Sequence, residues 1–198
     1  MQVQRFPVIY LTGAPATGKS TVSAALATRL PGLLVFAYSK ELRKFAERRT
    51  GLSMSEDDIR RMSGAVITPE DVQGLDLELA ELAAKRRETG PMIIDSHAVT
   101  KESYGFRVTS FGPKTLLALA PDCIVCLYTD PDVACQRIAD DPRGRPKISP
   151  LEAGMHTQLQ CSVAIEYGIL LAKPVYFIDS SGPLEGVVDA VANKARLS

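Results

Sequence analysis

The residues best suited to chemistry in this 198-residue chain lie near its N-terminus, in the segment GAPATGKS at residues 13–20. This segment fits the pattern G-x-x-x-x-G-K-[ST], in which a glycine-rich backbone turns its N–H groups towards a polyphosphate. The Lys19 ammonium would supply positive charge to the β and γ phosphate oxygens, and the Ser20 hydroxyl would bind the Mg²⁺ that chelates them. The predicted cofactor-binding residues are Gly13, Ala14, Pro15, Ala16, Thr17, Gly18, Lys19, Ser20 and Thr21.

The segments on either side of this phosphate loop (residues 13–20) are those that the motif requires. Residues 8–12 (VIYLT) are a short apolar run of the kind found in buried parallel strands. After the loop, Val22, Leu26 and Leu30 share one helical face, so the helix would present its positive N-terminus to the anion. A strand, a loop and a helix in this order favour a working phosphate site over a chance glycine-rich turn.

The rest of the chain alternates short apolar runs with helical patterns. Four further strands are predicted, at residues 33–38, 92–95, 123–128 and 175–179. This alternation favours an α/β fold of the three-layer P-loop NTPase type, with a five-stranded parallel sheet and helices on both faces. We expect residues 1–198 to form one P-loop kinase domain, with residues 39–90 and 140–149 covering the carboxyl edge of the sheet. Ser39 is predicted to cap a helix, and residues 96–113 to form a polar loop.

Side chains at the carboxyl ends of the strands are the best candidates for ligand contacts, because ligands of open α/β sheets bind there. Asp95 ends an apolar strand, and we predict that it holds Mg²⁺ through water, with a helix cap as the alternative. His97 either contacts the phosphoryl acceptor or makes a structural hydrogen bond. His156 is expected to be structural.

Arginines from separate segments are expected to converge on the cleft, because phosphoryl transfer brings two polyanions together. Five arginines are candidates: Arg43, Arg60, Arg137, Arg143 and Arg145. Arg43 or Arg60 would hold the acceptor phosphate through two parallel hydrogen bonds. Arg143 and Arg145 lie in a loop rich in glycine and proline. The predicted catalytic residues, which would act on the transferring phosphoryl group, are Lys19, Arg137, Arg143 and Arg145. A solvated surface position is the structural alternative for each arginine.

The composition argues against several functions. The chain has 23 basic and 23 acidic residues, so no general attraction to nucleic acid or to an anionic membrane is indicated. No apolar run approaches the roughly 20 residues of a transmembrane helix, and the N-terminal apolar stretch leads straight into the phosphate loop, unlike a signal peptide. We expect a cytoplasmic protein with a small-molecule substrate, whose oligomeric state the sequence does not indicate.

The four cysteines are predicted to be buried thiols, with metal binding or a disulfide as the less favoured interpretation. Cys123 and Cys126 form a C-x-x-C pattern, but they lie in a predicted strand, where residues three apart point to opposite faces. Cys135 and Cys161 fall on predicted helices and do not repeat this spacing. The pattern therefore does not indicate a zinc site.

In their order along the chain, these segments resemble the nucleoside monophosphate kinases, and most closely the archaeal-type adenylate kinases. The segments that carry the resemblance, besides residues 13–21, are DDIRRM at 57–62, DSH at 95–97 with Lys101 and Tyr104-Gly105, RGR at 143–145, His156, and EYG at 166–168. The resemblance spans nearly the whole chain. It implies a P-loop core with a monophosphate-binding region and a short lid, and transfer of the γ-phosphoryl group of ATP to AMP, giving two ADP.

The resemblance also suggests an acceptor site, although this part of the sequence departs from the family pattern. Ser39, Arg43, Arg60 and His97 are the predicted acceptor-binding residues. The D-G-F-P-R signature of common adenylate kinases is replaced by DSH at 95–97, and there is no cysteine cluster for a zinc-binding lid. These departures concern the acceptor more than the donor.

Two other functions stay open. A P-loop kinase of another small molecule, such as a sugar acid, a nucleoside or an antibiotic, would phosphorylate a hydroxyl group and need a general base, for which Asp95 could be recruited. A slow ATPase acting as an assembly factor would depend only weakly on AMP. A panel of acceptors distinguishes the three functions.

Overall fold

The computed structural model describes residues 5–51, 67–142 and 146–197, which form seven strands and seven helices. The strands are β1 (Val8–Gly13), β2 (Leu34–Ala37), β3 (Met92–Asp95), β4 (Val99–Glu102), β5 (Gly105–Val108), β6 (Cys123–Tyr128) and β7 (Val175–Asp179). The helices are α1 (Lys19–Arg29), α2 (Tyr38–Thr50), α3 (Pro69–Thr89), α4 (Pro113–Leu119), α5 (Pro131–Ala139), α6 (Pro150–Leu171) and α7 (Leu184–Ala195).

Five of the strands form one parallel sheet in the order β2-β3-β1-β6-β7. All six residues of β1 are buried, because this strand pairs with β3 on one side and β6 on the other and its side chains pack into the cores on both faces of the sheet. The predicted P-loop NTPase fold with a five-stranded parallel sheet is thereby confirmed. Since β1 is central, the phosphate loop at its carboxyl end lies in the middle of the sheet edge where such folds bind ligands.

Two apolar cores lie on opposite faces of this sheet. Tyr10 faces the core formed with α3, α4 and α6, whereas Leu11 faces the core formed with α1 and α7. The strands are apolar throughout because successive side chains alternate between the two cores. Cys126 lies in the first core and Cys123 in the second, which confirms that the C-x-x-C pair is divided between the faces.

Two predicted details at the start of the chain are wrong. Strand β2 is shorter than predicted and ends at Ala37, and α2 begins at Tyr38. Ala37 is the N-cap of α2 and makes no side-chain cap hydrogen bond, so Ser39 is not a cap. Ser39 is instead an exposed residue of the first helical turn. The apolar run from 33 to 38 does not mark this boundary because Tyr38 packs in the core although it is helical.

The predicted polar loop over residues 96–113 is also wrong, because it contains the antiparallel hairpin β4–β5. The hairpin gains its stability by packing against α6. The Gln160 side-chain oxygen accepts hydrogen bonds from the N–H groups of Ala98 and Val99, at 3.1 and 3.2 Å. Phe106 packs edge-on against His156, with 5.1 Å between the ring centroids.

Three helices end on residues other than glycine in the left-handed conformation. They are Ala120 after α4, Ala172 after α6 and Arg196 after α7, with φ angles of 43°, 50° and 52°. The first two precede β6 and β7, so they lie at the amino edge of the sheet, opposite the phosphate loop.

The predicted division into a core, an acceptor region and a lid stays a prediction. Residues 39–90 contain α2 without its first residue, Tyr38, and all of α3, and residues 140–149 connect α5 to α6. Arg60, Arg143 and Arg145 lie outside the described residues. Within the described part of the chain, no helix is both long enough and apolar enough to cross a membrane.

Candidate active site

The two glycines of the phosphate loop occupy positions that other residues would strain. Gly13 has φ +148°, and a Cβ atom there would lie 2.4 Å from the carbonyl oxygen of Leu127, which belongs to the backbone of β6. Gly18 has φ +80° and is the N-cap of α1. A side chain at Gly13 would therefore push the loop away from the sheet, which explains the residue type at this end of the motif.

Hydrogen bonds within the loop fix its shape. The Thr17 hydroxyl donates to the carbonyl oxygen of Ala14 at 2.8 Å and is buried. The Lys19 ammonium donates to the carbonyl oxygens of Gly13 and Ala14, at 2.7 and 3.4 Å. Ala16 is held at φ +66°, a conformation that costs a non-glycine residue about 1 kcal/mol or more. Such strain is typical of functional loops held by their surroundings.

The N-terminus of α1 is suited to an anion. Its first turn carries no acidic side chain, and no side chain caps its N–H groups. Ser20 and Thr21, in that turn, are exposed. Uncapped N–H groups and the helix dipole together favour a phosphate group at this position. The structure therefore places the predicted cofactor-binding residues in one loop and helix N-terminus whose N–H groups suit an anion, and their contacts with a nucleotide remain a prediction.

Asp95 ends β3 next to this loop, where it pairs in register with Leu11 of β1. Burial raises the pKa of the Asp95 carboxyl, whereas the charges of Lys19 and Lys40 and a hydrogen bond from Ser20 act in the opposite direction. Asp95 thus lies beside the two motif residues that are predicted to bind Mg²⁺ and the phosphates. No role was predicted from the sequence for Lys40, which lies in the first turn of α2, three residues after the end of β2.

This arrangement fits Mg²⁺ held largely by phosphate and water. The Asp95 carboxylate and the Ser20 hydroxyl would supply oxygen ligands of the type that Mg²⁺ prefers, directly or through water. Within the described residues, no group of three or more His, Cys, Asp or Glu side chains is placed to hold a metal ion. A site of this kind needs the nucleotide to complete it, as is usual for Mg²⁺ in kinases.

Arg137, on α5, contacts the phosphate loop from the side. Its guanidinium donates to the carbonyl oxygen of Ala16 at 3.2 Å and to that of Ser180 at 2.9 Å. These bonds join the loop to the segment that follows β7. They indicate a supporting role for Arg137 in the loop, and its predicted catalytic role stays a prediction.

Three of the predicted acceptor residues are described: Ser39 and Arg43 lie on α2, after β2, and His97 lies two residues after the end of β3. Ser39 and His97 are exposed. Arg43, on α2, lies 4.0 Å from the Glu47 carboxylate, and its Nε atom is buried without a hydrogen-bond partner among the described residues. The structure brings these residues to the same sheet edge as the phosphate loop, but their contacts with an acceptor remain predictions.

His156, on α6, lies behind the phosphate loop and contacts the β4–β5 hairpin. His156 is buried and its Nε2 atom lies 3.0 Å from the carbonyl oxygen of Val99. Burial lowers the pKa of His156, so the imidazole is neutral at physiological pH. A small cavity separates His156 from Ala14 and Pro15 of the phosphate loop. The expected structural role of His156 is consistent with these contacts.

We expect Arg137→Ala to weaken ATP binding and to lower turnover together, each by about tenfold, because the Ala16 and Ser180 carbonyls lose a charged donor. The ATP Kd and kcat should be measured on the same preparation. Arg29→Ala is the control, since Arg29 forms an exposed ion pair with Asp189 on the surface. A fall in kcat with unchanged ATP affinity would instead place Arg137 on the transferring group.

Known proteins resemble this chain in sequence and in fold. The family model described as "AAA domain" matches residues 12–152. The adenylate kinase of Pyrobaculum aerophilum is 30% identical over 151 residues, which cover 76% of this chain and 73% of that protein.

Two solved structures share the fold. The shikimate kinase of Acinetobacter baumannii superimposes with a TM-score of 0.59 at 19% identity, over 96% of this chain and 93% of that one. The gluconokinase of Sinorhizobium meliloti superimposes with a TM-score of 0.52 at 18% identity, over 98% and 94%. The family match covers the phosphate loop, Asp95 and Arg137 alike. The chain therefore belongs to the AAA-domain family and is a P-loop kinase related to the nucleoside monophosphate kinases.

Proposed function

We propose that this kinase transfers the γ-phosphoryl group of ATP to a nucleoside monophosphate, with AMP as the preferred acceptor, and so forms two ADP. The observation that carries the donor half of the proposal is the position of Asp95 beside Lys19 and Ser20. The acceptor half, a nucleoside monophosphate and preferably AMP, is supported by the 30% identity to an adenylate kinase.

A hydroxyl acceptor would need a general base within hydrogen-bond reach. Among the described residues, Asp95, Asp130 and Asp179 are carboxylates that end a strand of the sheet or closely follow one, and each has another local partner. Asp95 lies with Lys19 and Ser20. Asp130 accepts a hydrogen bond from the N–H of Asp132 at 2.8 Å and caps α5, and Asp179 accepts one from the N–H of Ser181 at 2.8 Å. This distribution favours an acceptor that needs no deprotonation, as is true of a phosphate oxygen.

Arg43 is the described arginine best placed to hold the acceptor phosphate. The Arg43 Nε–H is buried and makes no hydrogen bond among the described residues, because its ion-pair partner, the Glu47 carboxylate, is 4.0 Å away. A phosphate oxygen close to this N–H would supply the missing hydrogen bond. A guanidinium can also bind two oxygens of one phosphate at once, which fixes its orientation. Arg60 shares this role in our proposal, and Ser39 and His97 lie at the same edge.

The donor side follows from the phosphate loop. The loop N–H groups and the Lys19 ammonium hold the triphosphate, while Ser20 and Asp95 would hold Mg²⁺ and its water. When bound, Mg²⁺ neutralises charge on the phosphate oxygens. Arg137 keeps the loop in position through the Ala16 carbonyl. We propose that Arg143 and Arg145 stabilise the charge on the transferring group.

The proposal is tested by measuring ADP formation from Mg²⁺-ATP with a panel of acceptors at equal concentration. AMP should raise the rate strongly, and more than CMP, GMP or UMP. Gluconate, shikimate and water represent the hydroxyl acceptors and the slow ATPase. If one of these is as good as every monophosphate, the proposal is wrong.

A second measurement tests whether both nucleotides are bound at once. A compound in which two adenosines are joined by a polyphosphate should inhibit far better than ADP, because the covalent link makes the second binding event intramolecular. Inhibition no stronger than that of ADP alone would contradict adjacent donor and acceptor sites for adenosine.

A further inference from the structure

Two thiols from distant parts of the chain lie side by side behind the phosphate loop. The Sγ atoms of Cys126 and Cys161 are 3.8 Å apart. Cys126 is fully buried in β6, and Cys161, on α6, is partly exposed. Cys126 pairs in register with Thr12, the residue just before the phosphate loop. A bond between the two sulfurs would thus tie α6 to the strand beside the loop.

We propose that Cys126 and Cys161 form a redox-modification site, at which a peroxide converts the two thiols into a reversible disulfide. A disulfide has its sulfurs about 2.0 Å apart, so the pair must approach by less than 2 Å.

The partly exposed thiol is the one that a peroxide can reach. A hydrogen bond from the Cys126 thiol lowers the pKa of Cys161, which increases the fraction of the reactive thiolate. The same hydrogen bond, together with burial, raises the pKa of Cys126. Cys161 is therefore the attacking group, and Cys126 is the resolving group.

The reaction is balanced with hydrogen peroxide as the oxidant. The Cys161 thiolate attacks one peroxide oxygen, the O–O bond breaks, and hydroxide leaves and takes up a proton to give water and a sulfenic acid. The Cys126 thiol then loses its proton and its sulfur attacks the Cys161 sulfur, so that the S–O bond breaks and a second water forms. Two thiols and one peroxide give one disulfide and two waters.

The other two cysteines are poorly placed to take part. Cys123 lies on the opposite face of the sheet, and burial raises its pKa to about 11. Cys135 is partly exposed like Cys161, but its thiol lies 3.4 Å from the carbonyl oxygen of Ile148, to which it donates. Cys135 therefore serves as the control residue, because it is partly exposed to peroxide, as Cys161 is, but is not the thiol that lies 3.8 Å from Cys126.

The test treats the full-length protein with hydrogen peroxide and measures the intact mass and the cysteine pairing by peptide mapping. We expect a loss of about 2 Da, a peptide pair that joins Cys126 to Cys161, and full reversal by dithiothreitol. In Cys126→Ser, Cys161 should stop at the sulfenic acid and react with dimedone. Cys135→Ser should form the same disulfide as the wild type.

Several results would overturn the proposal. The first is oxidation of Cys161 to the sulfinic acid while the Cys126 thiol can still be alkylated. The second is a disulfide that includes Cys135. The third is that none of the four thiols reacts with the peroxide. The wild-type mapping decides the matter even if a serine variant does not fold, because it needs no substitution.

Discussion

Replacing Lys19 with methionine is expected to lower phosphoryl transfer at least about 1000-fold while the protein stays folded. The Lys19 ammonium lies 2.7 Å from the carbonyl oxygen of Gly13, at the mouth of the phosphate loop, and it is the charge that the transferring phosphate would meet. Methionine keeps the length of the apolar stem and removes the charge, whereas the backbone N–H groups of the loop remain. The kcat with ATP and AMP measures the effect, and thermal unfolding checks the fold.

Lys194→Met is the matched control for this variant. Lys194, on α7, stacks its ammonium 5.7 Å from the centre of the Tyr176 ring and takes no part in the site. This control should retain normal turnover. Normal turnover in Lys19→Met, with normal stability, would contradict the assignment of the phosphate loop.

Asp95→Asn is expected to reduce kcat by about 100-fold and to raise the Mg²⁺ concentration needed for activity. The substitution keeps the shape of the side chain but removes the negative charge beside Ser20 and Lys19. Substituting a residue that acts on a metal through the metal's ligands typically lowers activity or metal affinity 10- to 100-fold. Stability should not fall, because burial already disfavours the charged carboxylate. A Mg²⁺ titration of kcat together with thermal unfolding measures both effects.

The control for Asp95→Asn is Asp130→Asn, at the same edge of the sheet. Asp130 caps α5 by accepting a hydrogen bond from the N–H of Asp132 at 2.8 Å. Asparagine is an equally good cap, so this variant should keep its activity and its Mg²⁺ dependence. Equal losses in both variants would mean that Asp95 acts on the local fold and not on Mg²⁺.

The part of the site that could be predicted from the sequence is the part that local residues determine. The phosphate loop is encoded within residues 13–20, and its flanking strand and helix follow from apolar periodicity. Asp95 could be placed because a polar residue at the end of a buried strand must lie at the sheet edge. The parallel sheet followed from the alternation of strands and helices.

The features that could not be predicted depend on contacts between distant segments. The hairpin β4–β5 looks like a polar loop because the groups that stabilise it, Gln160 and His156, belong to a helix about 60 residues away. The contact of Arg137 with Ala16 crosses 121 positions of the chain. The boundary between β2 and α2 could not be predicted, because Tyr38 continues the apolar run of the strand although it is the first residue of the helix. Its ring packs against the core from that position.

The left-handed helix ends at the amino edge of the sheet have a consequence for engineering. Ala120 and Ala172 adopt φ angles of 43° and 50°, which glycine adopts at little steric cost. Replacing either alanine with glycine relieves this strain in the folded state but gives the unfolded chain more conformational freedom, which acts in the opposite direction. The net effect should be an increase of about 0.5 to 1 kcal/mol in the free energy of unfolding. Because these positions lie across the sheet from the phosphate loop, a heat-resistant form of this kinase could be made without altering the surroundings of its substrates.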